Sequence, residues 1–576
     1  MKKIVTPGDS RFKEIIEANN YYVDKTMLIH DLIAKRELYA LITRPRRFGK
    51  TLNQDMLAEF FDIRYKNEHL FKDLAISQHP EIIEKYCSKY PVIFMTFNKC
   101  ESLTFAGFKI KYKSMISDIY KGYKHIRQKL DAKDKQYFDA VVNEKLNVKK
   151  ATPNESEEAT KSDGFEAYAT TLAKLSDFLY QYYEKKIVIL IDEYDVPINK
   201  GFTESYFKEI VDFIKGLFID GLKNNKNVQL SVLTGCLRVS KESVFTGFNN
   251  LSVYSVLNSE YASYYGFTQA EVNEMANHFE IKDKLADIKA WYDGYNFGGV
   301  EIYNPWSISK YIKADSDEFI AYWVNTSSNA QLKELIAKGD EDFKESLKPL
   351  LTDGMIEKPL NMDVDYNSLY SNPDNIYAFL LSAGYLKAVD SRLDDDEDFI
   401  YKLAIPNKEI VREFKKLLTN LSKEFINKRS YNNLVRAITE SDVETFEGIL
   451  TTALQGVSFF DTEKSQEENP YHLFIFGTLF ERDNDYVTLS NRESGNGRYD
   501  ITLKSKHEKK AVIIELKRAY SEKTNLKELA AKAIKQVNDC RYKAGLQYEG
   551  YDDILVYGVS FYKKQCCIVL ETEKLQ

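Results

Sequence analysis

Short, continuous apolar runs punctuate the N-terminal half of the chain. Leu38-Tyr-Ala-Leu-Ile42 and Ile187-Val-Ile-Leu-Ile191 carry no polar position, the pattern of strands buried on both faces of a parallel sheet. Pro91-Val-Ile-Phe-Met-Thr-Phe97 and Val228-Gln-Leu-Ser-Val-Leu-Thr-Gly235 predict two further strands of the same sheet. Thr51–Phe61 has helical spacing instead, so strand, loop and helix follow one another from Leu38 onward. The long interval Phe105–Asp177 must hold helices inserted between strands. Within it lies a polar break, Lys149–Gly164, that reads as a surface loop inside the first domain. Asp394-Asp-Asp-Glu-Asp398 lies between Tyr385–Val389 and Phe399–Leu403 and reads as a charged hairpin tip.

A second polar break, Asp461–Glu468, precedes a different pattern. Asn469 as cap and Pro470 at the first helical position start a helix carrying Tyr471, Leu473, Phe474, Phe476, Leu479 and Phe480. Strand Tyr486–Leu489, a turn at Ser494–Gly497, strand Arg498–Leu503, a charged turn Lys504–Lys509 and strand Lys510–Lys517 follow. Helix Asn525–Tyr542 and strands Ile554–Phe561 and Cys566–Leu570 complete the order helix, three strands, helix, strands.

At 576 residues the chain exceeds one hydrophobic core and predicts three or four domains. A net charge of −7 means that any nucleic-acid surface is a local patch and not a global field. The six cysteines, Cys87, Cys100, Cys236, Cys540, Cys566 and Cys567, have no C-x-x-C spacing and read as reduced thiols of a cytoplasmic protein. The N-terminus has no apolar leader and no stretch of about 18 apolar residues occurs, so neither secretion nor a membrane span is expected. Nothing in the sequence excludes a homo-oligomer.

Arg44-Pro-Arg-Arg-Phe-Gly-Lys-Thr51 fits the phosphate-binding pattern G-x-x-x-x-G-K-[ST] except that Arg44 stands at the first glycine. Between a strand and a helix, the backbone of Arg46, Arg47, Phe48 and Gly49 would face phosphate oxygens of ATP. Lys50 would reach the outer phosphates and Thr51 would offer its hydroxyl to Mg²⁺. The side chains of Arg44, Arg46 and Arg47 are either phosphate contacts or a solvated basic loop. The strand ending in Asp192-Glu193 supplies the carboxylates such a site needs: Asp192 for Mg²⁺ and Glu193 to polarise the attacking water. Alone, that run is any buried strand with an acidic end. Thr234 is either a γ-phosphate sensor or a strand-end threonine. Arg238 is either a phosphate or subunit contact or a surface ion-pair partner.

Glu515 and Lys517, two apart on a strand, point to one face, and Asp500 on the preceding antiparallel strand can approach them. Two carboxylates and a lysine at a sheet edge suit phosphodiester hydrolysis: Asp500 and Glu515 would hold Mg²⁺, with the Leu516 carbonyl completing the shell. Lys517 would then orient the nucleophile or stabilise the transition state. An exposed Glu–Lys pair on an amphipathic strand is the plain alternative. Lys504, Lys506, Lys509, Lys510 and Arg518 could contact a nucleic acid, and the carboxylate chemistry does not itself distinguish DNA from RNA.

Tyr22-Val-Asp-Lys-Thr26, Arg44–Thr51, Ile191-Asp-Glu-Tyr-Asp-Val-Pro197 and Thr234–Asn250 together resemble the predicted AAA-ATPase-like family of gut and other anaerobic bacteria. The resemblance continues through Tyr265–Val272, Trp291–Tyr295, Tyr303–Ser307 and Ala383–Leu386, and it implies that arginine at the first glycine is normal there. Gly497-Arg-Tyr-Asp500 with Ile513-Ile-Glu-Leu-Lys517 resembles the PD-(D/E)XK nuclease superfamily, with Tyr499 in place of the motif's proline. That second resemblance implies Glu468 as the first-helix metal ligand and Gln536 and Tyr542 as substrate contacts, with His472 either structural or catalytic. The fold expected is α/β: a P-loop NTPase parallel sheet with helical insertions (1–266), then a mostly helical lid or winged-helix-like region (267–406). A helical connector (407–461) and a C-terminal αβββαβ nuclease-like domain (462–576) complete it. The three tryptophans, Trp291, Trp306 and Trp323, are expected to pack the middle region's core. The function expected is ATP binding and hydrolysis coupled to Mg²⁺-dependent cleavage of nucleic acid, DNA before RNA. An ATP-gated switch that binds nucleic acid without cutting it is the alternative.

Overall fold

Five apolar segments align as one parallel sheet in the computed structural model: β1 (Tyr39–Thr43), β2 (Val92–Thr96), β3 (Ile187–Asp192), β4 (Val228–Gly235) and β5 (Ser252–Tyr254), in the order β2-β3-β4-β1-β5. Every residue of β1 and β3 is buried, which is why neither strand shows polar alternation. Ala40, Ile42, Val188, Leu190 and Val232 face helices Phe12–Glu17, Met27–Ala34 and Lys50–Phe61 in one apolar cluster. The interval between β2 and β3 folds into helices Phe105–Gly122, Ala132–Val142 and Thr171–Tyr183. Aromatic rings from this interval interlock with helix Phe207–Phe218: Phe165, in the turn before Thr171, stacks on Phe213 at 4.5 Å and Tyr112 meets Phe213 edge-on at 4.8 Å.

The described residues are 3–146, 164–238, 244–245, 248–323, 341–351, 354–362, 373–394, 398–423, 428–456, 485–490, 493–494 and 497–571, with single positions 332, 335, 369, 471, 475, 476, 478 and 479. Glu468, His472 and the Asn469-Pro470 helix start lie outside them. The chain divides into two units. One comprises Met1–Trp323 with Pro359–Val389 and Leu393–Phe399, the other Val324–Lys358 with Asp390–Arg392 and Ile400–Gln576.

Beyond β5, the first unit continues with helix Gln269–Phe279, opened by a capping box between Thr268 and Glu271, and helix Leu285–Tyr292. The antiparallel hairpin of β6 (Tyr295–Phe297) and β7 (Val300–Ile302) turns through Gly298 and Gly299, both at positive φ. Asn304 caps helix Pro305–Ala314. Strands β8 (Ile356–Pro359), β9 (Lys387–Leu393) and β10 (Phe399–Ala404) fall where the chain passes between the units.

The second unit carries helices Lys408–Lys423, Lys428–Thr439 and Val443–Gly456. A sheet follows, made of β11 (Tyr486–Ser490), β14 (Ile501–Ser505), β15 (Lys510–Arg518), β16 (Asp553–Tyr562) and β17 (Gln565–Leu570) in that order. A small hairpin, β12 (Glu493–Ser494) with β13 (Gly497–Arg498), precedes β14. Only β15 and β16 pair in parallel; helix Leu526–Asp539 makes that crossover and packs on β16. The strand expected at Arg498–Leu503 is broken. Buried Tyr499 turns its ring to Tyr542 and the Asp500 carboxylate accepts the Leu516 N–H at 2.9 Å, so both residues leave the ladder. Gly558 on β16 lies beneath the crossover helix, where an added Cβ would sit 2.0 Å from the Ala530 carbonyl oxygen. Gly558→Ala is therefore expected to cost about 2–3 kcal/mol by overpacking, read as a lower urea midpoint for this unit.

Candidate functional site

The candidate nucleotide site forms where β1, β3 and β4 end together. Because β4 lies between the P-loop strand and the acidic strand, Thr234 at its end can bridge them. Its hydroxyl donates to Asp192 Oδ1 at 2.7 Å and the Thr51 hydroxyl donates to Asp192 Oδ2 at 2.8 Å. Thr51, Asp192 and Thr234 thus form one hydrogen-bonded group. Burial and then the charge of Glu193 raise the Asp192 carboxyl; the two hydroxyls oppose that shift.

Lys50 begins the helix behind Gly49, whose φ of 83° suits glycine. The lysine is 3% exposed, and its Nζ donates to the Arg44 and Pro45 carbonyls, both at 3.0 Å, and to Cys236 Sγ at 3.3 Å. Glu193 Oε1 lies 3.6 Å from the same ammonium. Burial disfavours the charged lysine, but Cys236, Glu193, Asp195 and Asp192 together outweigh it and raise its pKa. Glu193 adopts a left-handed backbone (φ 56°), an uncommon conformation for glutamate, as the chain turns from β3 into helix Val196–Thr203.

The loop arginines do three different things. Arg44 is fully buried and belongs neither to a solvated loop nor among phosphate-facing side chains. Half-buried Arg46 feels Cys236, Glu193 and Asp195. Exposed Arg47, at φ 71°, lays its guanidinium 4.3 Å from the Trp306 ring centre. Phe48 is fully buried against Tyr295 and Phe297, with ring centres at 4.8 and 5.3 Å, so only its backbone is available to a ligand. Trp323 donates its indole N–H to the Arg46 carbonyl at 3.2 Å and packs on Tyr385. Trp291 stacks on Phe319. The tryptophans are packing residues, but two of them, Trp306 and Trp323, also contact the 44–51 loop. Arg238 is half-buried after β4.

Asp195 and Cys236 were not singled out from the sequence, where only the proximity of Asp195 to Asp192-Glu193 pointed to it. Asp195 is 4% exposed, and its Oδ2 accepts the Cys236 and Leu237 N–H groups, both at 2.8 Å, which ties the acidic strand's end to the segment after β4. Gly235 leaves room for this: a Cβ there would lie 2.6 Å from Tyr194 and 2.7 Å from Asp195 Oδ1. Burial, then Glu193, push the Asp195 carboxyl up to about 6. With the folded value above the unfolded one, its contribution to stability is complete below about pH 4 and is lost as pH rises through about 6. Asp195→Asn keeps an oxygen for both N–H groups and cannot ionise. Its calorimetric midpoint is expected to fall less than wild type's between about pH 4 and pH 7.

In the second unit, Glu515 and Lys517 lie on β15 opposite Gly558 and Ser560 of β16. Glu515 is 1% exposed, and Oε1 accepts Gln536 Nε2 at 2.5 Å while Oε2 accepts the Asp500 N–H at 3.3 Å. Asp500 and Glu515 are thereby held side by side through each other's backbone neighbourhood, and Lys517 is half-buried two residues on. Gln536, from the crossover helix, touches the carboxylate itself. Burial pushes the neighbouring Tyr542 hydroxyl up to about 12. Among the cations considered for nucleic acid, Lys504 pairs with Glu549, Lys509 with Asp552 at 3.4 Å and Lys510 with Asp553 at 3.5 Å. Two adjacent carboxylates and the Leu516 backbone carbonyl are a hard-oxygen donor set, which fits a cation such as Mg²⁺. Among the described residues no group of three or more His, Cys, Asp or Glu gathers as a metal cluster, and no helix is long and apolar enough to cross a membrane.

Residues 7–245 match the model of the predicted AAA-ATPase family and residues 466–571 that of the PD-(D/E)XK nuclease superfamily. The chain is also 25% identical over 512 residues, 87% of each chain, to an uncharacterized protein in the vnfD 5'region of Azotobacter chroococcum mcd 1. The two chains thus correspond across both units. The chain carries an AAA-ATPase-like domain and, at its C-terminal end, a domain of the PD-(D/E)XK nuclease superfamily.

Proposed function

We propose that the protein binds and hydrolyses ATP and couples this to hydrolytic cleavage of nucleic acid, DNA in preference to RNA. The observation that carries the first half is the convergence of Lys50, Thr51, Asp192, Glu193 and Thr234 at the ends of three adjacent strands. In this reading Lys50 leaves the loop carbonyls for the outer phosphates, and the loop N–H groups and helix N-terminus receive the remaining oxygens. Glu193 accepts the proton of the attacking water. Thr234 and the Asp195-held segment carrying Arg238 register the γ-phosphate.

The second half is supported by Asp500, Glu515 and Lys517 on two neighbouring segments of one sheet. Asp500 and Glu515 would hold Mg²⁺, as Thr51 and Asp192 would in the nucleotide site, supplying charge neutralisation and an acidified water. Lys517 orients the attacking oxygen or offsets charge on the phosphate, and Gln536 fixes the Glu515 rotamer.

The test incubates purified protein with DNA and RNA panels and Mg²⁺, with and without ATP. ATP-dependent cleavage supports the reading. ATP binding with no cleavage of any substrate would favour a switch that only binds nucleic acid. Lys50→Ala is expected to lower ATP turnover by about 10²-fold or more and to reduce nucleic-acid cleavage with it, measured by phosphate release and gel assay.

A further inference from the structure

The arginine at the first glycine position of the phosphate loop has a structural task. Arg44 is not among the residues at positive φ, so the backbone there makes no demand for glycine. Its N–H donates to the Gly235 carbonyl at 3.0 Å, extending the β1–β4 ladder past the end of β1. Its carbonyl accepts from Lys50 Nζ. Its guanidinium is 0% exposed and crosses to β5: Nη1 donates to the Thr43 carbonyl at 2.8 Å and the Tyr254 carbonyl at 3.0 Å, and Nη2 to the Glu260 carbonyl at 3.2 Å. The Phe297 and Tyr265 rings flank it at 5.1 and 5.7 Å. Among the described residues it forms no ion pair, and its Nε has no hydrogen-bond partner.

A fully buried arginine with carbonyl and ring partners alone is costly, so its geometry must be held from several sides. Those sides are the ends of β1, β4 and β5 and the β6–β7 hairpin. A glycine would supply none of the side-chain bonds and would leave the Tyr254 and Glu260 carbonyls without this donor.

We propose that Arg44 is a positioning residue that locks the start of the phosphate loop to the end of β5, so that nucleotide binding at the loop is felt at 252–262. This rests on ATP being the loop's ligand.

Hydrogen exchange of the full-length wild-type protein tests it. Saturating ATP is expected to slow exchange at 44–51 and also at 252–262. Arg44→Gly, which restores the common motif, and Arg44→Met are expected to weaken ATP binding about tenfold or more by calorimetry. At ATP levels that saturate them they should slow exchange at 44–51 alone. Arg44→Lys keeps a charge but loses the planar fork that meets three carbonyls at once, and is expected to weaken ATP binding less than the glycine and methionine variants do. Wild-type affinity in the glycine or methionine variant overturns the proposal. So does a wild-type protein whose 44–51 segment responds while 252–262 does not, a result that needs no variant to fold. Silence at both segments with ATP bound by calorimetry overturns the proposal as well, whereas absence of binding to wild type by calorimetry overturns ATP binding itself.

Discussion

Asp500→Asn and Lys517→Met are each expected to reduce Mg²⁺-dependent cleavage by roughly 10²–10³-fold or more while leaving the ATP dissociation constant unchanged. The asparagine variant is the informative one. Asp500 accepts the Leu516 N–H, and an amide oxygen keeps that bond, so the bend before β14 survives while the charge is lost. Loss of cutting in this variant therefore reports chemistry and not unfolding. Lys517 pairs across to Ser560 on the buried side of the sheet, and methionine retains its stem. Initial rates on end-labelled substrate, with ATP affinity by calorimetry as the control, decide the matter. Cleavage that survives both substitutions would falsify the site.

Glu193→Gln is expected to lower ATP hydrolysis by roughly 10²–10⁴-fold with ATP binding unchanged or tighter. Glutamine keeps the shape but cannot accept the water's proton. It also removes the carboxylate 3.6 Å from Lys50, one of the groups that competes with phosphate for the ammonium. Glu193→Gly separates backbone from side chain. Glycine relieves the left-handed strain, so this variant is expected to gain about 1 kcal/mol in stability while losing hydrolysis. Hydrolysis by single-turnover phosphate release and stability by thermal melting would show the two effects moving in opposite directions. An active Glu193→Gln protein would transfer the base role elsewhere.

Four of the five strands of the first sheet were legible because runs such as Ile187–Ile191 are long, β-branched and bounded by charge, whereas β5 has only three half-buried residues and no such run. The strand β2, adjacent to β3 at the sheet edge, was visible for the same reason. Sequence spacing also put Glu515 and Lys517 on one strand. What spacing could not carry is contact between distant segments. Asp195 reaching the N–H groups of Cys236 and Leu237, Trp323 reaching Arg46 and Gln536 reaching Glu515 all depend on tertiary approach. Arg44 shows the limit most clearly: a basic residue in a basic loop looks like a phosphate ligand, yet burial at the strand ends assigns it to carbonyls. The break at Tyr499-Asp500 was hidden because both residues tolerate a strand, and only the ring of Tyr542 and the N–H of Leu516 draw them out of it.

The resting position of Lys50 has a consequence for ligand choice. Its ammonium already has three internal acceptors, the Arg44 and Pro45 carbonyls and the Cys236 sulfur. An incoming anion must outbid them, which lowers every apparent affinity by the same displacement cost. A ligand with more charge, such as a triphosphate, is expected to offset more of that cost than free phosphate or sulfate. A lysine held by two peptide oxygens and a thiol is thus expected to weight the loop towards highly charged ligands.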